Sequence, residues 1–120
     1  MSYRDLLEVR NCYTALRELV TQAHGGWNDV DSRARAERLC GAALEALDDA
    51  ECRERLRSVQ SQAAELFSRF GHLKWARRNM TGAEYLRLQI LITLEGLNTR
   101  LFAMETQRDR SSAPPPRQSA

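Results

Sequence analysis

The sequence lacks the long apolar run that a membrane-spanning helix needs. Its most apolar stretch, Leu86–Leu97, is interrupted by Arg87 and Glu95 and falls well short of the ~20 residues required to cross a bilayer. The first ten residues mix acidic and basic side chains, so they also lack the charged-then-apolar layout of a secretory signal. These absences predict a cytoplasmic protein that does not span a membrane.

The motifs that usually hold cofactors, metals or nucleophiles are missing as well. No glycine-rich phosphate loop, GxSxG, HExxH or Glu-x-x-His pattern occurs. Cys12, Cys40 and Cys52 form no CxxC pair, and each falls on an apolar helical stripe, where a free thiol behaves as a small hydrophobe. We therefore predict a protein that is not an enzyme, with no catalytic residue, no metal site and no cofactor.

The sequence also has little excess of one sign of charge over the other. Eighteen basic and sixteen acidic residues leave a net charge of +2, too little to hold a polyanion without local clustering. The basic residues are arginine at all positions but Lys74, a bias that a GC-rich genome produces by itself. With 42% apolar and 28% charged residues, the composition is that of a soluble globular domain.

Hairpin signals are absent, and apolar residues recur instead at helical spacings of three and four. We predict an all-α fold, an antiparallel bundle of about four helices at roughly residues 2–24, 29–47, 49–78 and 82–107. The predicted inward positions of the first three helices are Leu6, Val9, Cys12, Tyr13, Leu16, Leu19, Val20, Ala23, Ala36, Leu39, Cys40, Ala43, Ala46, Leu47, Cys52, Leu56, Val59, Ala63, Leu66, Phe67, Phe70 and Leu73.

The third helix has two possible ends. Asp48 and Glu51 stand at capping-box spacing at its start, and its apolar stripe keeps its phase past Gly71, which favours one helix to about Arg78. The alternative is a break at Gly71, because glycine costs ~1 kcal/mol in a helix interior. Both alternatives remain open from the sequence.

The chain divides into a helical domain, residues 1–107, and a tail, residues 108–120. Thr81 and Glu84 form a capping box before the fourth helix. The tail combines serines and three prolines without apolar periodicity, so we expect it to be disordered.

The fourth helix carries apolar residues on two sides, which predicts a partner. One stripe is suited to the core: Leu86, Ile90, Leu94, Leu97, Leu101 and Met104. The opposite side is apolar at its start and small further on, with the predicted interface residues Tyr85, Leu88, Ile92, Gly96, Thr99 and Ala103. Because a bundle helix normally has a solvent side, this second stripe predicts a homo-oligomer, most simply a twofold dimer, or another protein partner.

A second candidate surface lies in a segment without acidic residues, Leu66–Ala83. It contains four cations around an aromatic residue: Arg69, Lys74, Trp75, Arg77 and Arg78. An exposed indole among cations would suit bases and phosphates, whereas the alternative is that Trp75 packs under the following loop or against a partner.

These features predict a non-enzymatic helical interaction module, such as an adaptor, chaperone or regulatory subunit. The alternative function is a small nucleic-acid or anion-binding regulator that uses the basic segment.

Overall fold

The computed structural model describes residues 3–23, 30–68, 75 and 80–112, and these contain four α-helices. The helices are α1 (Tyr3–Thr21), α2 (Val30–Ala46), α3 (Ala50–Leu66) and α4 (Gly82–Ser112). The predicted all-α bundle is thereby confirmed. The helical starts agree with the sequence prediction within one residue, but three helical ends do not, and the first of these is α1, which stops at Thr21 rather than near residue 24.

The third helix stops at Leu66, well before the predicted end near Arg78. Phe67 leaves helical geometry with φ −91° and ψ 25°, and its N–H donates to the Ala63 carbonyl at 3.0 Å. Its side chain is 3% exposed and packs in the core. The prediction of one helix to Arg78 is therefore wrong, and the alternative break at Gly71 lies outside the described residues.

The fourth helix is longer than expected. It continues to Ser112, so residues 108–112 are helical and the predicted boundary of a disordered tail at Arg108 is wrong. Its 31 residues span about 46 Å. Arg108 explains part of the extension, because its guanidinium lies 4.6 Å from the ring centroid of Tyr3 on α1. Residues 113–120 lie outside the described part of the chain.

The start of α3 depends on Asp49 rather than on the predicted Asp48. Asp49 has an extended backbone, with φ −111° and ψ 123°, and its carboxylate accepts a hydrogen bond from the Cys52 N–H at 3.0 Å. Arg53 donates to the Leu44 carbonyl at 2.7 Å and so satisfies a carbonyl at the end of α2. The capping residue at α4 is the predicted one, since Thr81 accepts from the Glu84 N–H at 3.1 Å.

Each helix packs against two others. The neighbouring pairs are α1 with α2, α2 with α3, α3 with α4, and α4 with α1. Near the start of α3, Asp49 pairs with Arg100, whereas Gln62 near its end meets Thr93, so α3 and α4 are antiparallel. Up-down-up-down connectivity closes the four helices into a ring around one core.

That core reproduces most of the inward positions expected from periodicity. Leu19, Ala23, Leu39 and Ala46 are only partly buried and pack against it, and Phe70 and Leu73 lie outside the described residues. All six predicted core residues of α4 are at most 8% exposed, and no polar or charged side chain is buried among the described residues. The buried residues are Leu6, Val9, Cys12, Tyr13, Leu16, Val20, Ala36, Cys40, Ala43, Leu47, Cys52, Leu56, Val59, Ala63, Leu66, Phe67, Leu86, Ile90, Leu94, Leu97, Leu101 and Met104.

Candidate interaction surface

The side of α4 that faces away from the bundle carries three exposed large apolar residues. Leu88, Ile92 and Phe102 are 45%, 56% and 67% exposed. Polar residues at the same side are Glu95 and Thr99, which are exposed, and Thr106, which is half-buried. Together these residues form what we call the outer stripe: Leu88, Ile92, Glu95, Thr99, Phe102 and Thr106.

Four of the six interface residues predicted from sequence lie on this exposed side: Leu88, Ile92, Thr99 and Ala103. The structure brings them together along one face of one helix. The other two residues, Tyr85 and Gly96, are half-buried and contact α3 or the segment that follows it.

Tyr85 is engaged within its own chain. Its ring stacks on the indole of Trp75, with the centroids 5.5 Å apart and the planes 14° from parallel. The indole N–H in turn donates to the carboxylate of Glu65 near the end of α3. These contacts hold the Trp75 side chain against Glu65 and Tyr85 and leave Tyr85 outside the outer stripe.

Gly96 allows a side chain of α3 to lie across α4. A Cβ atom at this position would overlap with the guanidinium of Arg55. Arg55 also approaches Glu51, at 3.8 Å between Nε and Oε1. The absence of a side chain at Gly96 therefore makes room for Arg55 of the same chain. Arg55 occupies the space in which a second helix was predicted to approach this residue.

The predicted anion surface is described only at Trp75. The indole is half-buried and packs against the core and Tyr85. Of the two alternatives for Trp75, the structure therefore agrees with a packed indole rather than with an exposed one. Arg69, Lys74, Arg77 and Arg78 lie outside the described residues.

Phe102, the most exposed large apolar residue of α4, was not among the interface residues predicted from the sequence. A usable signal was present, because Leu88, Ile92, Glu95, Thr99 and Phe102 are separated by four, three, four and three residues. Glu95 interrupts this pattern with a charge, and a search for uncharged positions passes over it. Helical spacing alone allows the outward stripe to pass through Gly96 or through Glu95 and Phe102, and the exposure of these residues selects the second path.

Ion pairs on both flanks fix the rotation of α4. On the α3 side, Arg100 donates to both carboxylate oxygens of Asp49, at 3.1 Å and 2.7 Å. On the α1 side, Arg10 donates to Glu105 at 2.5 Å and also to the amide oxygen of Asn98. Because these contacts hold the two edges of α4, the outer stripe is kept facing away from the core.

The α3 contact also sets a protonation state. The hydrogen bonds from Arg100 lower the pKa of Asp49 to about 2, although partial burial acts in the opposite direction. Asp49 correspondingly raises the pKa of Arg100. Both groups are therefore charged at neutral pH, and the pair is a charge-assisted, two-point contact.

The thiols are placed for packing rather than for chemistry. Burial raises the pKa values of Cys40 and Cys52 to about 12, and that of Cys12 is also raised by burial. The Cys52 sulfur lies 3.9 Å from the sulfur of Met104 on α4. Since the thiolate is the reactive form, these cysteines are poor nucleophiles.

Over the described ranges, no three His, Cys, Asp or Glu side chains gather in a way that could hold a metal ion. No helix in that same part of the chain is long and apolar enough to cross a membrane. The chain matches no protein-family model, no curated protein and no solved structure. The outer stripe is thus the feature on which a functional interpretation can be built.

Proposed function

We propose that this protein is a non-enzymatic helical interaction module of the cytoplasm, acting as an adaptor, chaperone or regulatory subunit, and that it forms a homodimer through α4. The observation that carries the proposal is the outer stripe. Leu88, Ile92 and Phe102 stand exposed along one face of a helix whose opposite face is fully buried. Aligned apolar side chains of this kind mark interaction sites more often than isolated ones do.

The energetics support a reversible dimer rather than an obligate one. Burying a fully exposed large apolar side chain contributes about 1.5–3 kcal/mol. Since Leu88, Ile92 and Phe102 are 45–67% exposed, hiding them in both copies contributes on the order of 5–10 kcal/mol. Association itself costs about 4 kcal/mol or more. The difference is at most about 6 kcal/mol, which corresponds to a Kd of about 40 μM, so we expect a weak dimer that is no tighter than this.

Apolar surface on α1 extends the stripe. Tyr3 and Leu7 are 57% and 43% exposed and line a small depression together with Glu105 and Asp109 of α4. Glu105 lies one helical turn beyond Phe102. A second copy that covers Phe102 can therefore also cover part of α1, which brings the interface closer to the ~800 Å² per partner of stable complexes.

The test is the molar mass as a function of protein concentration, measured by sedimentation. We expect the mass to rise from monomer towards dimer through the high micromolar range. Ile92→Arg should keep the protein monomeric throughout, because an unpaired charge is costly to bury at an interface. Circular dichroism should show unchanged helicity in this variant, since Ile92 is exposed in the single copy.

The matched control is Val30→Arg. Val30 is 65% exposed and lies on α2, which packs against α1 and α3. It places the same charge on an exposed apolar position away from α4, so the dimer should persist. A native protein that stays monomeric at several hundred micromolar, or equal losses of dimer in the two variants, would contradict the proposal.

A further inference from the structure

The outer stripe has the spacing of a coiled-coil seam. Its six residues follow one another at intervals of four, three, four, three and four, which is the heptad alternation that keeps one face of a helix against a partner helix. The stripe runs for about 27 Å along α4. A second helix with the same spacing is therefore the occupant that fits it, and each additional copy of this chain supplies one.

Charge decides the direction in which two such helices would run. In a parallel pair each residue faces its own counterpart, so Glu95 would face Glu95 in the middle of the seam. Like charges in that position are destabilising. In an antiparallel pair Glu95 instead faces Thr99, so the two like charges no longer lie directly opposite each other. The Thr99 hydroxyl donates to the Glu95 carbonyl of its own helix at 3.1 Å and would turn from it to donate to the partner's carboxylate.

The same antiparallel register pairs two of the three large apolar residues with each other. With Glu95 opposite Thr99, Ile92 lies opposite Phe102, and Leu88 lies opposite Thr106, because facing positions move in opposite directions along the two chains. The polar central pair then fixes the register, as single polar seam positions do in coiled coils. We propose that two copies pair through the outer stripe as an antiparallel coiled coil with Ile92 of each copy against Phe102 of the other.

Neighbouring apolar surface fits this arrangement. Tyr3 and Leu7 of α1 lie beside the last turns of α4, near Glu105 and Asp109. An antiparallel partner brings its Leu88 to that end of the helix, so Leu7 gains an apolar neighbour across the interface. Both ends of the seam are then covered by α1 as well as by α4, which adds the area that a single helix pair lacks.

This inference rests on the proposed homodimer, and disulfide trapping tests it separately. Leu88→Cys and Thr106→Cys proteins are made singly and oxidised alone or as an equimolar mixture. The antiparallel register predicts a cross-linked dimer in the mixture only, because like positions lie far apart. The native cysteines are at most 6% exposed, and native protein oxidised in parallel measures any background from them.

A distance measurement gives an independent readout. A spin label attached through Thr106→Cys should report about 27 Å between the two copies in the antiparallel register, whereas a parallel pair would bring the labels close together. Sedimentation of each variant shows whether the dimer has formed, and circular dichroism shows whether the protein has folded.

The outcomes separate the two proposals. A monomeric native protein overturns the homodimer and this inference together. A dimeric mass with cross-links in each variant alone overturns the antiparallel pairing while the homodimer stands. A dimeric mass with no cross-link in the mixture, or a label separation far from the expected value, overturns the register.

Discussion

The two sides of α4 are chemically alike and structurally opposite. Ile90 on the inner side is completely buried, whereas Ile92, two residues further on, is 56% exposed. Both belong to apolar stripes with regular helical spacing, so hydrophobic periodicity describes them equally well. The difference shows that the period of a pattern identifies the faces of a helix, but the rest of the chain decides which face it covers itself.

Burial of the inner stripe holds this orientation, and polar contacts at its two edges add to it. On one edge of α4, Arg10 of α1 binds Glu105. On the other edge, Arg100 of α4 binds Asp49 at the start of α3. Rotating the helix to hide Ile92 would break these contacts and expose the inner stripe. The apolar residues of the outer side therefore cannot be buried in the core of their own bundle.

The largest contrast is expected between Ile90→Ala and Ile92→Ala. The first variant opens a cavity in the core and should lower the free energy of unfolding by about 2–5 kcal/mol. The second removes a side chain already in contact with water and should cost less than about 1 kcal/mol. Urea denaturation at low micromolar concentration, where the dimer is dissociated, measures both. Equal losses would mean that the two sides of α4 have been exchanged.

A second leucine pair makes the same comparison on α1. Leu16 is completely buried and Leu7 is 43% exposed. Leu16→Ala should again lower the free energy of unfolding by about 2–5 kcal/mol, and Leu7→Ala by less than about 1 kcal/mol. Because both positions lie on one helix, differences in helix propensity cancel. A similar loss at both positions would show that α1 is rotated relative to the described packing.

The ion pair that orients α4 should give a smaller, pH-dependent effect. The pKa of Asp49 is about 2 in the folded protein, against about 3.9 in an unfolded chain. A carboxylate whose pKa is lowered on folding stabilises the folded protein at pH values above the pKa of the unfolded chain. That stabilisation is lost as the pH falls towards 2. Asp49→Asn keeps a capping side chain and should cost on the order of 1–2 kcal/mol at neutral pH, allowing for the exposure of Arg100.

Denaturation curves from neutral pH to about pH 2 measure this contribution. The gap between the native protein and Asp49→Asn should narrow as the pH falls through the window between the two pKa values. Asp109→Asn removes an exposed carboxylate near the end of α4 and controls for the change in net charge. A gap that stays constant over the whole range would show that the Arg100 contact does not set the pKa of Asp49.

Much of the fold followed from the sequence because burial imposes a period that survives in the residue pattern. The core of α4, for example, required only the recurrence of apolar residues at spacings of three and four. Helical ends were less predictable. The apolar phase continued beyond Leu66, but Phe67 turns into the core and ends α3 there, which is a tertiary preference that local periodicity does not record.

The candidate surface was predictable in part for the same reason. Leu88, Ile92 and Thr99 followed from a second apolar stripe, whereas Phe102 required knowledge of which side remained uncovered. Tyr85 and Gly96 matched the spacing, yet their contacts with Trp75 and Arg55 come from residues distant in the sequence. Long-range partners of this kind are invisible to helical periodicity.

The smallest expected effect concerns the end of α4. Arg108 lies over the ring of Tyr3, and an exposed cation–π contact contributes about 0.5–1 kcal/mol. Arg108→Ala should therefore lower the melting temperature by a few degrees, since about 1 kcal/mol corresponds to roughly 4–8 °C in a domain of this size. Arg110→Ala, at an exposed position two residues further on, should leave it nearly unchanged. Calorimetry distinguishes the two, and equal melting temperatures would mean that the last turns of α4 are not anchored by Tyr3.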